Sequence, residues 1–305
     1  MTKVSVVINC HNSEKYIDEA LTSALNQTYE DIEIICYDNF SKDNTKKIIL
    51  SFKDERIKYF YSNKFLTLGK ARNHAIKQCK GDFIAFLDSD DIWKKNKLEY
   101  QLIYFKDPKV GIVTSNTEIF NESGFIKNMY SSKNLPKSGK VFKTLFTNYN
   151  ISLETAIIRS DVLKKLDYIF DERFEIIEEF DLFCRISINY KLFFVNKVLS
   201  KWRMHSNSST WRNRELIWKE RNLMLEQYKL NDSNFEKIFQ NEITLFEKRT
   251  QLEKTLYLIQ INNFKNARLI LKKYLFKEIK WTFLYFLTFN KQLTKYALKK
   301  SGLLQ

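Results

Sequence analysis

Glycine and proline are scarce in this chain of 305 residues, with six Gly and two Pro. That excludes collagen-like repeats and leaves little material for flexible linkers. Four cysteines, Cys10, Cys36, Cys79 and Cys184, stand singly inside apolar stretches with no CxxC pair. A disulfide framework or a zinc finger of ordinary spacing is excluded by that pattern. No apolar run reaches the roughly 20 residues that cross a bilayer. The longest near the C-terminus, Trp281 to Phe289 with two Thr inside it, is about half that length. The opening run Met-Thr-Lys-Val-Ser-Val-Val-Ile is too short for a secretory signal and has no small-residue cleavage site. The expectation is a reduced, cytoplasmic protein.

What is present is ordinary for a folded chain: 44% hydrophobic and 29% charged residues, in a length that suits one large domain or two modest ones. The net charge of +15 points toward anionic partners, whether nucleic acid, a membrane surface or anionic substrates. Of the basic residues 40 are Lys and only 11 Arg, a bias that a composition-skewed genome also produces, so charge alone selects no partner.

The first hundred residues alternate two periodicities. Val4 to Ile8, Ile32 to Tyr37, Ile57 to Tyr61 and Phe83 to Leu87 are short β-branched or aromatic runs. Between them lie helix-period segments: one with Tyr16, Ile17, Ala20, Leu21, Ala24 and Leu25 on a face and Ser13 as its expected cap, then Asn44 to Phe52, then Gly69 to Cys79. Strand and helix in alternation predict an α/β fold with a mostly parallel central sheet, because parallel strands need crossover connections. Ligands bind beyond the carboxyl ends of such strands. The residues there are His11 and Asn12, then Asp38 and Asn39, then Asp88, Ser89, Asp90 and Asp91.

Later segments are looser. Gly111 to Phe120, Thr155 to Arg159 and Phe193 to Val195 read as strands, Asn121 to Gly139 as a loop and Glu178 to Asn189 as a helix. Beyond Ser209 the chain is helical and basic.

The sharpest feature is Phe-Leu-Asp-Ser-Asp-Asp-Ile-Trp, residues 86 to 93. Carboxylates one residue apart at a strand end repel each other unless a cation lies between them, and Mg2+ or Mn2+ accepts such oxygens and completes its shell with phosphates. The alternative is a solvated turn capping the next helix.

Val-Ser-Val-Val-Ile near the start, Asn-Gln-Thr-Tyr at 26 to 29, Tyr-Asp-Asn-Phe-Ser-Lys-Asp-Asn-Thr at 37 to 45, Gly-Lys-Ala-Arg-Asn at 69 to 73 and the Asp-Ser-Asp-Asp loop occur in that order. Together they resemble a family 2 glycosyltransferase of the GT-A fold, strongly over residues 3 to 105 and more thinly to about 210. The resemblance implies inverting, metal-dependent transfer of a sugar from a nucleotide diphosphate, most often UDP, to a hydroxyl of a glycan or lipid-linked oligosaccharide in bacterial surface-polysaccharide synthesis. It divides the chain into a nucleotide-sugar half, 1–110, an acceptor half, 111–210, and a helical basic region, 211–305.

By the same resemblance Asn12 lies at the donor pocket, Asp38 holds base or ribose, Arg72 lies near the diphosphate, Asp88 faces ribose or metal, and Asp90 is the direct ligand of Mn2+ or Mg2+. Glu-Glu-Phe-Asp-Leu at 178 to 182 is similar to the family's acidic segment, which makes Glu179 the expected general base, with Glu178 and Asp181 as runners-up. Lys-Trp-Arg-Met-His, residues 201 to 205, is similar to a further segment in which His205 completes the metal shell or touches the diphosphate and Arg203 neutralises it. A buried structural His is the other reading of His205. The chain departs from the family at Asn9 to Asn12, where Pro-Thr-Tyr-Asn is common, and at Asn39, where a second Asp is common.

Two further classes compete. A sugar-nucleotide pyrophosphorylase also pairs an α/β sheet with acidic metal ligands, but His11-Asn12-Ser13 is no Gly-rich phosphate loop. A basic nucleic-acid-binding protein would be expected to show a finger, RNP or zipper pattern, and none is present, so nucleic acid is not expected as a partner. The C-terminal segment Leu269 to Phe289 combines apolar and Lys positions at helical spacing with a cluster of aromatics. It suits either an anionic membrane interface, placing the protein peripherally on the inner face of the cell membrane, or packing onto protein, including a second subunit.

Overall fold

The computed structural model of the chain describes residues 3–205, 213–301 and 303. It divides into two compact units, Met1–His205 and Ser206–Gln305. The boundary expected near residue 210 falls among residues 206–212, outside the described residues.

In the first unit, strands β1 (Val4–Cys10), β2 (Ile32–Asp38), β3 (Ile57–Tyr61) and β4 (Phe83–Phe86) alternate with helices α1 (Ile17–Leu25), α2 (Thr45–Ser51) and α3 (Leu68–Ile76). β2 is buried along its whole length and β1 at all but one residue, and the polar residues that interrupt their apolar runs, Ser5 and Glu33, are hydrogen-bonded to each other across the pair. α1 buries Ile17, Ala20, Leu21 and Ala24, the i, i+3, i+4, i+7 face visible in the sequence. Ser13 does not cap it: the N-cap is Tyr16, and the Ser13 hydroxyl bonds Ser89 at 2.8 Å, tying the ends of β1 and β4 together.

A short strand β5 (Ile92–Trp93), helix α4 (Lys97–Leu102), strands β6 (Val110–Phe120) and β7 (Ile126–Asn128), helix α5 (Phe142–Thr147), strand β8 (Ile157–Arg159), helix α6 (Ser160–Leu163), helix α7 (Glu178–Asn189) and strand β9 (Lys191–Arg203) follow. The sheet runs β3-β2-β1-β4-β8-β6-β9-β5, with β7 hydrogen-bonded to β6. β3, β2, β1 and β4 are parallel; β8 is antiparallel to β4 and β6, and β9 is parallel to β6. The sheet is therefore parallel in its first half and mixed in its second.

Two further expectations need correction. The segment 121–139 is not all loop, because Ile126–Asn128 pairs with β6; all three residues are exposed, so burial left no pattern to read. β9 is far longer than Phe193 to Val195: exposed Asn196 and Lys197 break the alternation, and register shifts opposite Ser115 to Thr117 absorb the irregularity.

The core gathers Val4, Val6, Ile8, Ile34, Ala85 and Leu87 from the sheet with Ile17, Leu21 and Ala24 from α1. The second unit holds α8 (Arg214–Asn231), α9 (Phe235–Ile238), α10 (Gln240–Gln260), α11 (Phe264–Lys272), α12 (Ile279–Leu287) and α13 (Lys291–Lys300). It has its own core, with Leu256, Ile259, Phe264, Leu271, Trp281 and Leu298.

Candidate active site

The end of β4 is where the chemistry collects. Leu87 N–H still donates to Val7 at 3.0 Å, and the chain then turns, closed by Asp91 N–H on the Asp88 carbonyl at 3.1 Å. The side chains of Asp88 and Asp90 are 38% and 34% exposed, whereas Asp91 is buried. β5 leaves this loop to pair antiparallel with β9, placing Ile92 opposite Lys201. That pairing brings the end of β9 onto the acidic loop. Arg203 N–H donates to Asp91 Oδ1 at 2.7 Å and its guanidinium Nε donates to the Asp90 carbonyl at 2.8 Å.

A third strand end supplies a carboxylate the sequence did not single out. Glu154 lies in the tight turn Leu153–Thr155 ahead of β8, buried, accepting from the Ser152 hydroxyl and from Ser200 at 3.3 Å. One oxygen each of Asp88, Asp91 and Glu154 lies within 4.8 Å of the others. Burial raises the pKa of all three, most for Asp91, which also feels Glu154, Asp90 and Asp88. Asp91 Oδ2 is buried with no hydrogen-bond partner among the described residues. A compact set of oxygen donors with excess negative charge and an unpartnered buried oxygen fits a hard divalent cation. Behind it, Lys97 is fully buried, 4.3 Å from the Trp93 ring centroid, its Nζ without a hydrogen-bond partner among the described residues. Burial pushes its pKa down to about 7, opposed by the charge of Glu154.

Facing the acidic loop is the first turn of α7. Arg72, buried on α3, links the two: its guanidinium donates to Asp88 Oδ1 at 3.0 Å and to Glu178, and lies 3.7 Å from Glu179 Oε2. Glu178 is buried, while the Glu179 side chain is 21% exposed and accepts from the Tyr149 hydroxyl at 3.2 Å. Burial pushes the Glu179 pKa well above the usual carboxylate range; Arg72 opposes this, and Glu178, Asp88 and Glu154 add to it. The result is one partly open carboxyl group whose hold on its proton is strengthened by burial and weakened by the neighbouring guanidinium.

Other expected site residues are placed differently. Asp38 is fully buried beneath the rim, with Oδ1 accepting from Ser41 N–H and Oδ2 from the Tyr59 hydroxyl, both at 2.8 Å, so it organises the β2 end from below. Asn12, at φ 50°, accepts from Lys42 N–H at 2.8 Å and donates its own N–H to Ser41 at 2.9 Å, stapling the β1 and β2 ends. Arg203 is buried between Tyr16 and Phe120 with a guanidinium N–H on Glu19 at 2.8 Å, a clamp on the acidic loop. Asp181 pairs with Arg185 at 2.8 Å within its own helix, which sets it apart from the Arg72 cluster. His205 Nε2 lies 2.8 Å from Asp90 Oδ2, so these two expected ligands meet each other beside the Asp88, Asp91 and Glu154 set. His11, expected beside the donor pocket, has its Nδ1 2.8 Å from the Asn39 carbonyl.

Known proteins share this architecture. UDP-Glc:α-D-GlcNAc-diphosphoundecaprenol β-1,3-glucosyltransferase WfgD of Escherichia coli is 30% identical over 67% of this chain and 78% of its own length. The enzyme of the same description, WfaP, also of Escherichia coli, is 34% identical over 71% of this chain and 84% of its own. Staphylococcus aureus TarS 1-349 in complex with UDP-GlcNAc superposes with a TM-score of 0.62 over 98% of this chain and 92% of its own, at 20% identity. The mannosyltransferase PcManGT of Pyrobaculum calidifontis in complex with GDP-Man and Mn2+ gives 0.63 over 95% and 85%, at 14% identity. At those identities the likeness is one of fold, the GT-A fold that the strand order displays. Residues 5–167 match the model of Glycosyl transferase family 2, more than half of the chain; with the two enzymes above, this establishes that the chain belongs to glycosyltransferase family 2.

Proposed function

We propose that this glycosyltransferase moves a sugar from a UDP-sugar to a hydroxyl of a glycan carried on a lipid diphosphate, in a metal-dependent displacement that inverts the anomeric centre. The observation that carries the reading is the Arg72 bridge, which sets the acidic loop and the first turn of α7 on two sides of one site. The relatives named for transfer from UDP-Glc onto GlcNAc-diphosphoundecaprenol support the substrate classes.

An ion shared with substrate phosphates must be open to solvent. Asp88, with the partly open Asp90 beside it, would hold the ion from the solvent side, and the buried oxygens of Asp91 and Glu154 would complete the compact set around Asp88. Bound Mn2+ or Mg2+ supplies charge neutralisation for the departing diphosphate. His205 holds the Asp90 carboxylate from one side and Arg203 holds the loop backbone from below. Glu179 takes the proton of the acceptor hydroxyl as its oxygen attacks the anomeric carbon, and the bond to the diphosphate breaks with its electron pair leaving on the phosphate. Base and leaving group act on opposite faces, so no covalent enzyme intermediate forms and the product is inverted. Arg72 keeps Glu178 and Asp88 paired, so that only Glu179 is available to the acceptor.

The test is turnover of UDP-Glc, UDP-GlcNAc and GDP-Man on a GlcNAc-diphospholipid, with Mn2+ and with EDTA. The proposal expects a UDP-sugar to be consumed only with metal and a product of inverted configuration by NMR. A retained anomeric configuration, or full activity in EDTA, contradicts it.

A further inference from the structure

The second unit carries a surface that the reaction does not use. Residues 206–305 hold 19 basic and nine acidic residues, a balance of +10 out of the whole chain's +15. Within residues 265–300 there are ten basic residues and one acidic. That single carboxylate, Glu278, is paired with Lys248.

The same stretch exposes its largest apolar side chains. α12 is two-faced: Trp281 and Leu284 are buried, while Ile279 is 89% and Phe283 66% exposed, with Phe286 beside them at i+7. Phe276, held at φ 60° just ahead of the helix, is 80% exposed, and its ring lies 6.4 Å from that of Phe286. Phe276, Ile279, Phe283 and Phe286 line an open cleft of about 420 Å3. Phe289, Leu293 and Tyr296 continue the exposed apolar set along the chain. Lys272, Lys273, Lys277, Lys280 and Lys291 flank it in sequence and are all exposed. Scattered surface apolar residues need no explanation, but a contiguous aromatic patch of this kind marks an interaction site.

We infer that this face docks onto an anionic lipid surface, with Phe276, Ile279, Phe283 and Phe286 entering the interface and the lysines meeting acidic headgroups. Charge selects this occupant. A second copy would bring the same basic stretch against itself, and a neutral apolar partner would leave the lysines unmatched. Aromatic and aliphatic side chains on one face with Lys at the margins is the composition of an interfacial helix, and no helix among the described residues is long and apolar enough to cross the bilayer instead. Each Lys at an anionic surface strengthens binding roughly fivefold, so a few suffice beside the apolar insertion. The inference stands on this surface and does not depend on the reaction proposed above.

The experiment is co-sedimentation of the full chain with vesicles of phosphatidylcholine alone and of phosphatidylcholine mixed with phosphatidylglycerol, at low and high salt. The expected result is at least about tenfold stronger partition onto the anionic vesicles, relieved by salt. Ile279→Ser with Phe283→Ser, and separately Lys277→Glu with Lys280→Glu, should each lower it about tenfold or more while circular dichroism and transfer to a water-soluble acceptor stay unchanged. The lysine pair keeps the test decisive where the apolar pair disturbs folding. Equal partition onto both vesicle types, or variants that bind as well as the parent, overturns the inference. So does a dimer in sedimentation velocity that Ile279→Ser dissociates while no vesicle binding is seen, which assigns the face to a second copy.

Discussion

Three carboxylates converge on the Arg72 guanidinium, and they differ in what burial leaves them free to do. Glu178 and Asp88 are directly bonded to it, whereas Glu179 lies 3.7 Å from it with its pKa pushed up by burial. Its folded-state pKa lies above that of the unfolded chain, so the native state holds the proton more tightly and stability falls as pH rises from the ordinary carboxylate range toward the raised value. Glu179→Gln removes that penalty. We expect the variant to lose transfer by about 100- to 10,000-fold, to keep donor affinity, and to melt higher than the parent at neutral pH, as read by single-turnover assay, calorimetry and thermal melting. Lys97 has the opposite sign. With a pKa of about 7 in the fold and about 10.4 in the unfolded chain, it makes stability rise with pH across that window, by up to about 1.4 kcal/mol per pH unit. Lys97→Met should flatten this rise in denaturant titrations between those pH values, and an unchanged slope would place the cause elsewhere.

Residue type was legible at this scale and burial was not. Asp38, Arg203 and Asp181 carry the charges that a donor site or a base would need, and the sequence offers no sign that each is already engaged by Tyr59, Glu19 or Arg185. Glu154, in the plain run Ser-Leu-Glu-Thr, joins the acidic cluster only because β8 inserts antiparallel between β4 and β6.

Among the elements, those with a strong period were readable from sequence and those without it were not. β1, β2, β4 and α1 announce themselves because each buries a nearly full strand or a full face, whereas β3, with no buried residue, is legible only from its run of β-branched and aromatic residues. β5 is two residues long, and only its pairing with β9 makes it a strand. Yet that pair is what presses Arg203 onto the acidic loop. α3 matters for a similar reason, because it carries Arg72. Gly69 in its first turn lies so close to the segment after α6 that an added Cβ would sit 2.6 Å from the Asp171 carbonyl oxygen and 3.2 Å from that of Phe174. Backbone cannot give way as a side chain does. Gly69→Ala should cost about 1–3 kcal/mol and, by shifting α3, lower kcat beyond what the lost folded fraction explains; a variant with parental stability and kcat would show that α3 tolerates displacement.

For the whole molecule, two units with separate cores differ in charge. The first, with a balance of +5, gathers Asp88, Asp90, Asp91 and Glu154 at one rim, and the second holds the remaining +10. The overall charge that suggested no single partner is thus resolved into an acidic site and a basic, aromatic surface. The central claim is that the rim binds a nucleotide diphosphate through a divalent ion. Titration calorimetry of UDP into the full chain, with and without Mn2+, and into Asp90→Asn measures it directly. The account predicts binding with Mn2+ that weakens at least about 100-fold on removing the metal or on substituting Asp90. Equal affinity in all three titrations would contradict it.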